Sequence, residues 1–137
     1  MKRLFITGLL VFFGLTFGHS QKSELPEMVS AYFSQLFPNE KIKTVEVDKV
    51  DNWETYEIKM SGGTELSFDQ NNQPTEIKCK SGIPASALPL NIAGYVTKNY
   101  PNIKIVEYEM DEEGHEVELE NGDELEFDSE ENFVEMD

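Results

Sequence analysis

Carboxylates outnumber every other chemically capable group in this chain. It carries 27 Asp and Glu against 11 Lys and Arg, with 2 His and 1 Cys. Such groups could do acid–base work in pairs, ligate a metal, or capture a cation electrostatically. Paired carboxylates act as acid and base only in a cleft that sets their pKa values apart. No cleft can be read from this sequence, and the abundance of acids makes any single pair unspecific. His115 is the one His outside an N-terminal leader, in which His19 lies. Cys79 sits in the alternating stretch Thr75-Glu76-Ile77-Lys78-Cys79, which puts it on the same face as Ile77, as a small buried hydrophobe. One half-buried His and one buried Cys make neither a catalytic triad or dyad nor a tetrahedral zinc set. There is no Gly-rich phosphate loop. Asp128-Ser129-Glu130-Glu131-Asn132 superficially resembles a calcium loop but lacks the Gly and the spaced bidentate Glu of an EF-hand, so at most weak Ca²⁺ binding is expected there. The expectation is a protein with no catalytic residues, no cofactor and no dedicated metal site.

What remains is capture by charge. Residues 88–137 hold 16 acids against Lys98 and Lys104, whereas residues 21–80 hold 11 acids against 7 Lys. In the acidic half the carboxylates alternate with apolar residues, and the candidate binding face is Glu107, Glu109, Asp111, Glu116, Glu118, Glu120, Glu124 and Glu126. Such a face could steer a basic protein or peptide onto itself. It could also be merely solvated, or hold divalent cations between its carboxylates. The net charge of −16 excludes nucleic acid and anionic membrane surfaces as partners, since both would repel it.

Strict alternation requires strands with one buried and one wet face. Val45 and Val47, then Tyr56, Ile58 and Met60, then Leu66 and Phe68, then Ile77 and Cys79 supply four buried faces. Tyr108 and Met110, then His115, Val117 and Leu119, then Leu125 and Phe127, then Val134 and Met136 supply four more. Asn121-Gly122 fits a type I′ hairpin turn, with Gly62-Gly63 in the same place of the first set. A helix precedes each set. Leu25, Met28, Val29, Tyr32, Phe33 and Leu36 form one helical stripe, opened by Pro26 and ended by Pro38. Leu88, Ile92, Tyr95 and Val96 form the second, ended by Pro101.

The two sets are one pattern written twice. A shift of 63 carries Leu25-Pro26 onto Leu88-Pro89, Tyr32 onto Tyr95, Pro38-Asn39 onto Pro101-Asn102 and Lys41-Ile42 onto Lys104-Ile105. After a gap, a shift of 59 carries Glu57 onto Glu116, Gly63 onto Gly122 and Phe68-Asp69 onto Phe127-Asp128. The expected fold is α+β, a tandem repeat of one helix followed by a four-stranded antiparallel meander, with repeats at 21–80 and 88–137 and a linker at 81–87. One copy of that size is marginal alone, so the copies should share a core or join sheet edges.

Residues 1–20 read as a secretory signal peptide. Lys2 and Arg3 precede an apolar run to Phe17, and the small residues Gly18 and Ser20 place cleavage before Gln21. The run is too short for a transmembrane helix, so no membrane attachment is expected after cleavage. Removing Lys2 and Arg3 takes the net charge from −16 to −18. The expected location is periplasmic or secreted.

These motifs together resemble the bacterial PepSY-like family of beta-lactamase-inhibitor-like exported proteins. The resemblance rests on the Leu-Pro helix, Tyr56-Glu57-Ile58 and His115-Glu116-Val117, and the runs Gly63 to Asp69 and Gly122 to Asp128. It covers both repeats. It implies an exported protein without defined catalysis, and a relationship to an inhibitor protein that binds its enzyme through a concave sheet face. The family pattern has a Gly in the turn after each Phe-Asp. Here those turns read Gln70-Asn71-Asn72 and Ser129-Glu130-Glu131-Asn132.

Overall fold

The computed structural model describes residues 25–51 and 53–137. The leader and the cleavage point at Gln21 lie outside the described residues. Pro26 is the N-cap of the first helix, α1 (Glu27–Leu36). The helix stops at Phe37, whose φ of −128° and ψ of 60° leave the helical region while its N–H still bonds the Phe33 carbonyl. Pro38 cannot continue the helix, having no N–H to donate. The second helix, α2 (Leu90–Asn99), is built the same way, with Pro89 as N-cap and Tyr100 leaving at φ −133°, ψ 54°. Val29 and Phe33 of α1, and Ile92 and Val96 of α2, are buried. Met28 departs from the expected stripe and lies exposed, as does Leu90 at the start of α2.

Each helix is followed by four strands. The first four are β1 (Ile42–Val50), β2 (Trp53–Met60), β3 (Glu65–Phe68) and β4 (Pro74–Lys78). A short 3₁₀ turn, Ala85–Ala87, precedes α2, and the last four strands are β5 (Ile105–Met110), β6 (Gly114–Leu119), β7 (Glu124–Asp128) and β8 (Phe133–Met136). All eight form one antiparallel sheet whose spatial order is the chain order. The halves therefore join at their edges, β4 against β5, with Glu76 opposite Glu109, Ile77 opposite Tyr108 and Lys78 opposite Glu107. They also share one apolar cluster. The segment expected as a linker packs into it: Ile83 and Ala87 are buried, and the Ala87 carbonyl accepts from Tyr32 Oη at 3.0 Å.

Register explains the core. Side chains directly opposite in a ladder share a face. Val45, Ile58, Leu66, Ile77, Tyr108, Val117, Leu125 and Met136 are successive partners across all eight strands. The helices cover this apolar face: Tyr32 meets Phe68 edge-on at 5.6 Å, and Tyr95 meets Phe127 likewise at 5.5 Å. A bulge in the β7–β8 ladder sets Phe133 opposite Phe127 and Met136 opposite Leu125. Phe133, not Val134, therefore joins Met136 on the apolar face.

The expected type I′ turns are three-residue loops instead. At Asn121-Gly122, Leu119 N–H bonds the Asp123 carbonyl and Gly122 N–H bonds the Leu119 carbonyl. Only the last loop residue is left-handed, Gly122 at φ 89° and Gly63 at 90°. That is a type I turn closed by an αL residue. The turns without the family Gly use the same loop, with Asn72 at φ 60° and Glu131 at φ 65° in the left-handed place.

Candidate functional site: the acidic face of the sheet

The row beside the apolar one points to the opposite face, because strand side chains alternate. It reads Glu46, Glu57, Ser67, Glu76, Glu109, Glu116, Glu126 and Glu135 from β1 to β8. Within this row a carboxylate stands on every strand but β3. The next outward row begins Thr44, Lys59, Glu65, Lys78, Glu107 and continues through Glu118 and Glu124. Asp137 extends it, exchanging both backbone bonds with Glu124.

Six of the eight expected residues come together here: Glu107 and Glu109 on β5, Glu116 and Glu118 on β6, Glu124 and Glu126 on β7. Asp111 and Glu120 do not. Strand β5 ends at Met110, and Asp111 Oδ1 closes the following turn by accepting from the N–H groups of Glu113 at 2.8 Å and Gly114 at 3.0 Å. Glu120 lies past the end of β6, where its Oε1 accepts from the Lys104 backbone N–H at 3.4 Å. Residues outside the expected set complete the rows: Glu46, Glu57 and Glu76 on one side, Glu135 and Asp137 on the other. Glu135 was signalled by its alternation with Val134 and Met136.

The face is polarised. Its first half interleaves cations, and Lys78 bridges Glu76 on its own strand and Glu107 across the seam, the latter at 3.2 Å. Burial works against the Lys78 charge, yet the two glutamates outweigh it and raise its pKa. From β6 onward no Lys interrupts either row. Burial raises the Glu107 pKa, and Glu76 and Glu118 add to this against the pull of Lys78. Burial and then Glu76 raise Glu109. Burial, followed by Glu124, Glu109, Glu107 and Glu126, pushes Glu116 up to about 7. Glu126 is only 5% exposed, although it points outward. Its carboxylate lies with those of Glu135 and Asp137, one oxygen of each within 4.8 Å of the others. Such a trio offers the hard oxygen ligands a divalent cation takes.

The other chemically capable groups are engaged elsewhere. His115 Nδ1 lies 3.0 Å from Tyr108 Oη, and burial lowers the imidazole pKa. Cys79 is buried, its Sγ 3.3 Å from Thr64 Oγ1 and 3.2 Å from Ser81 Oγ. The stretch that resembled a calcium loop is closed upon itself: Asp128 Oδ1 accepts from the N–H groups of Glu130 and Asn132, both at 2.9 Å. The Asn132 bonds hold this carboxyl below the usual range.

One antiparallel sheet, two helices on its apolar face and acids across its other face define an α+β protein built around a charged open surface. Within that class the chain belongs to the PepSY-like family. The family model, described as "Putative beta-lactamase-inhibitor-like, PepSY-like", matches residues 19–73 and 54–135. Three solved Bacteroides structures are similar. A "putative periplasmic protein" from Bacteroides vulgatus is 30% identical, with 85% of this chain and 93% of that one covered and a TM-score of 0.75. A "putative calcium-regulated periplasmic protein" from Bacteroides thetaiotaomicron is also 30% identical, over the same shares, with a TM-score of 0.73. A second Bacteroides vulgatus protein, 28% identical, covers 87% of this chain and 96% of its own, at a TM-score of 0.73. No curated protein matches the chain.

Proposed function

We propose that the protein is an exported, non-catalytic binding module that takes a basic protein or peptide on the acidic face of its sheet. The carrying observation is the row of glutamates crossing the sheet, uninterrupted by cations from β6 to β8. Like charges on neighbouring strands repel, and this repulsion adds to burial, the larger cause, in raising the Glu107, Glu109 and Glu116 pKa values. A cationic partner relieves it. Export follows from the leader at 1–20 and is supported by the periplasmic descriptions of the similar structures. The two helix-plus-meander units are, in this reading, one duplicated unit, supported by the matched caps, turns and ring contacts. The test replaces Glu116, Glu118, Glu124 and Glu126 with Gln and measures association with a lysine-rich peptide against ionic strength. The variant should associate more slowly, with a flatter salt dependence. Equal rates at low salt would remove the face as the site.

A second reading is supported by the convergence of Glu126, Glu135 and Asp137 and by a relative described as calcium-regulated. The face would then hold a divalent cation. Calorimetry with Ca²⁺ separates the two: stoichiometric heat lost in Glu135→Gln favours the cation, and absence of heat leaves the basic partner.

A further inference from the structure

Strands β4 and β8 occupy matched places. A shift of 59 carries Glu76, Ile77 and Lys78 onto Glu135, Met136 and Asp137. The far side of β4 is taken by β5, with Tyr108 opposite Ile77, and Ile77 is fully buried. Among the described residues the sheet ends at β8, and Met136 is 50% exposed. Asp137 exchanges both backbone bonds with Glu124, at 2.9 and 3.0 Å. Alternation along an antiparallel ladder then turns the N–H and C=O of Met136 away from β7. The apolar side of this edge is held in place: Phe133 stacks on Tyr95 at 4.5 Å, and Tyr100 Oη lies 3.2 Å from Met136 Sδ. The β8 edge therefore offers what β4 offers β5, an open donor and acceptor with apolar side chains on one face and acids on the other.

The difference is charge. In the β4–β5 seam, Lys78 meets Glu107. At β8 the matched residue is Asp137, grouped with Glu126 and Glu135. A strand like β5, with glutamates flanking its tyrosine, would be repelled here, while one with cations in their place would be drawn in. A second copy is disfavoured for the same reason. The opposite edge, β1, carries Glu46 and Asp48 outward, so joining either edge of another molecule to β8 sets carboxylate beside carboxylate.

We propose that β8 is an acceptor strand, which takes an extended partner segment with an aromatic or aliphatic residue between two Lys or Arg as a ninth strand of the sheet. The proposal rests on the reading of the acidic face as a receptor for a basic partner and specifies where that partner docks and in what form. Backbone pairing supplies affinity and alternate side chains supply selectivity, as in strand addition generally.

The test uses the purified protein and a short blocked peptide with a Lys-Tyr-Lys centre. A second peptide of the same charge is N-methylated on the edge that would face β8. The first peptide should bind and shift the amide resonances of Val134 to Asp137. N-methylation should weaken binding about tenfold or more, since it removes backbone bonds and keeps the charge. Met136→Pro should do the same from the other side, because it deletes an N–H that β7 does not use. Binding of the methylated peptide within about twofold of the first would overturn strand addition and leave the charged face as the receptor. Failure of both peptides at low salt would overturn both readings.

Discussion

Glu131 reaches from the β7–β8 turn to the start of α2, where its Oε2 accepts the N–H of Asn91 at 3.2 Å. Pro89, the N-cap of that helix, supplies no side-chain cap. A carboxylate in this place satisfies one orphan donor and faces the positive end of the helix dipole. Glu131 does this from a left-handed backbone at φ 65°, which costs a residue with a Cβ about 1–2 kcal/mol. Glu131→Ala loses the contact and keeps the strain, whereas Glu131→Gly loses both. Denaturant melts should therefore rank Gly above Ala by about 1 kcal/mol, and Glu131→Gln should lose only the charge contribution, about 0.3–1 kcal/mol. Equal Ala and Gly variants would mean that the turn relaxes.

Phe68 and Phe127 are the matched floor positions under Tyr32 and Tyr95, and both are buried. Truncation to Ala removes a ring from the shared cluster and leaves a cavity. Each should cost about 3–5 kcal/mol, a large part of the stability of a small protein. Chemical denaturation measures it, and a loss below about 1 kcal/mol for both would contradict their burial.

Gly114 opens β6 opposite Asp128, at φ 154°. A Cβ built there overlaps the carbonyl oxygen of Phe127. Backbone cannot yield as a side-chain tip can. Gly114→Ala should destabilise by about 1–3 kcal/mol through this overpacking, with the loss read in the thermal midpoint and new amide shifts at His115 and Phe127.

The raised Glu116 pKa fixes the sign of a pH effect. Folded, this group binds its proton more tightly than in the unfolded chain, near 7 against 4.5. Its contribution to stability is therefore fully present below about 4.5 and is lost as pH rises through about 7. Glu107 and Glu109 shift in the same direction. Asp128 shifts the opposite way, and its contribution is lost only in stronger acid. The Glu116 contribution should raise stability by about 1 kcal/mol between about pH 8 and pH 5, a figure reduced for the partial solvation of the side chain, while His115, whose pKa burial lowers, opposes it as the unfolded chain takes up a proton first. Urea melts across that range check it, and Glu116→Gln should flatten the profile.

Much of this molecule could be read from alternation. The apolar and acidic rows follow from period-2 patterning, which survives wherever a strand stays in register. Alternation misleads where register changes or the strand stops. Alternation alone puts Val134 inward, and no sequence signal marks the bulge in the β7–β8 ladder. Alternation continues past Met110 and Leu119 and so puts Asp111 and Glu120 on the face, whereas the turn's own N–H groups capture Asp111. Met28 fits a helical stripe by spacing, but the helix buries the narrower set of Val29 and Phe33. The near-complete burial of Glu126 was not legible, since it depends on packing against neighbouring strands. The choice between a shared core and joined edges stayed open in the sequence, and both occur.

The unbroken chain-order arrangement of the strands bears on how the molecule assembles. Every ladder but one joins strands linked by a short hairpin, so most pairings close small loops and cost little entropy to form. The exception is β4 with β5, which must wait for the 3₁₀ turn and α2 to fold back between them. Contacts this local favour rapid folding for a sheet of eight strands. Each half can zip from its own hairpins, and the seam at Ile77 and Tyr108 is the step that makes the two halves one cooperative unit.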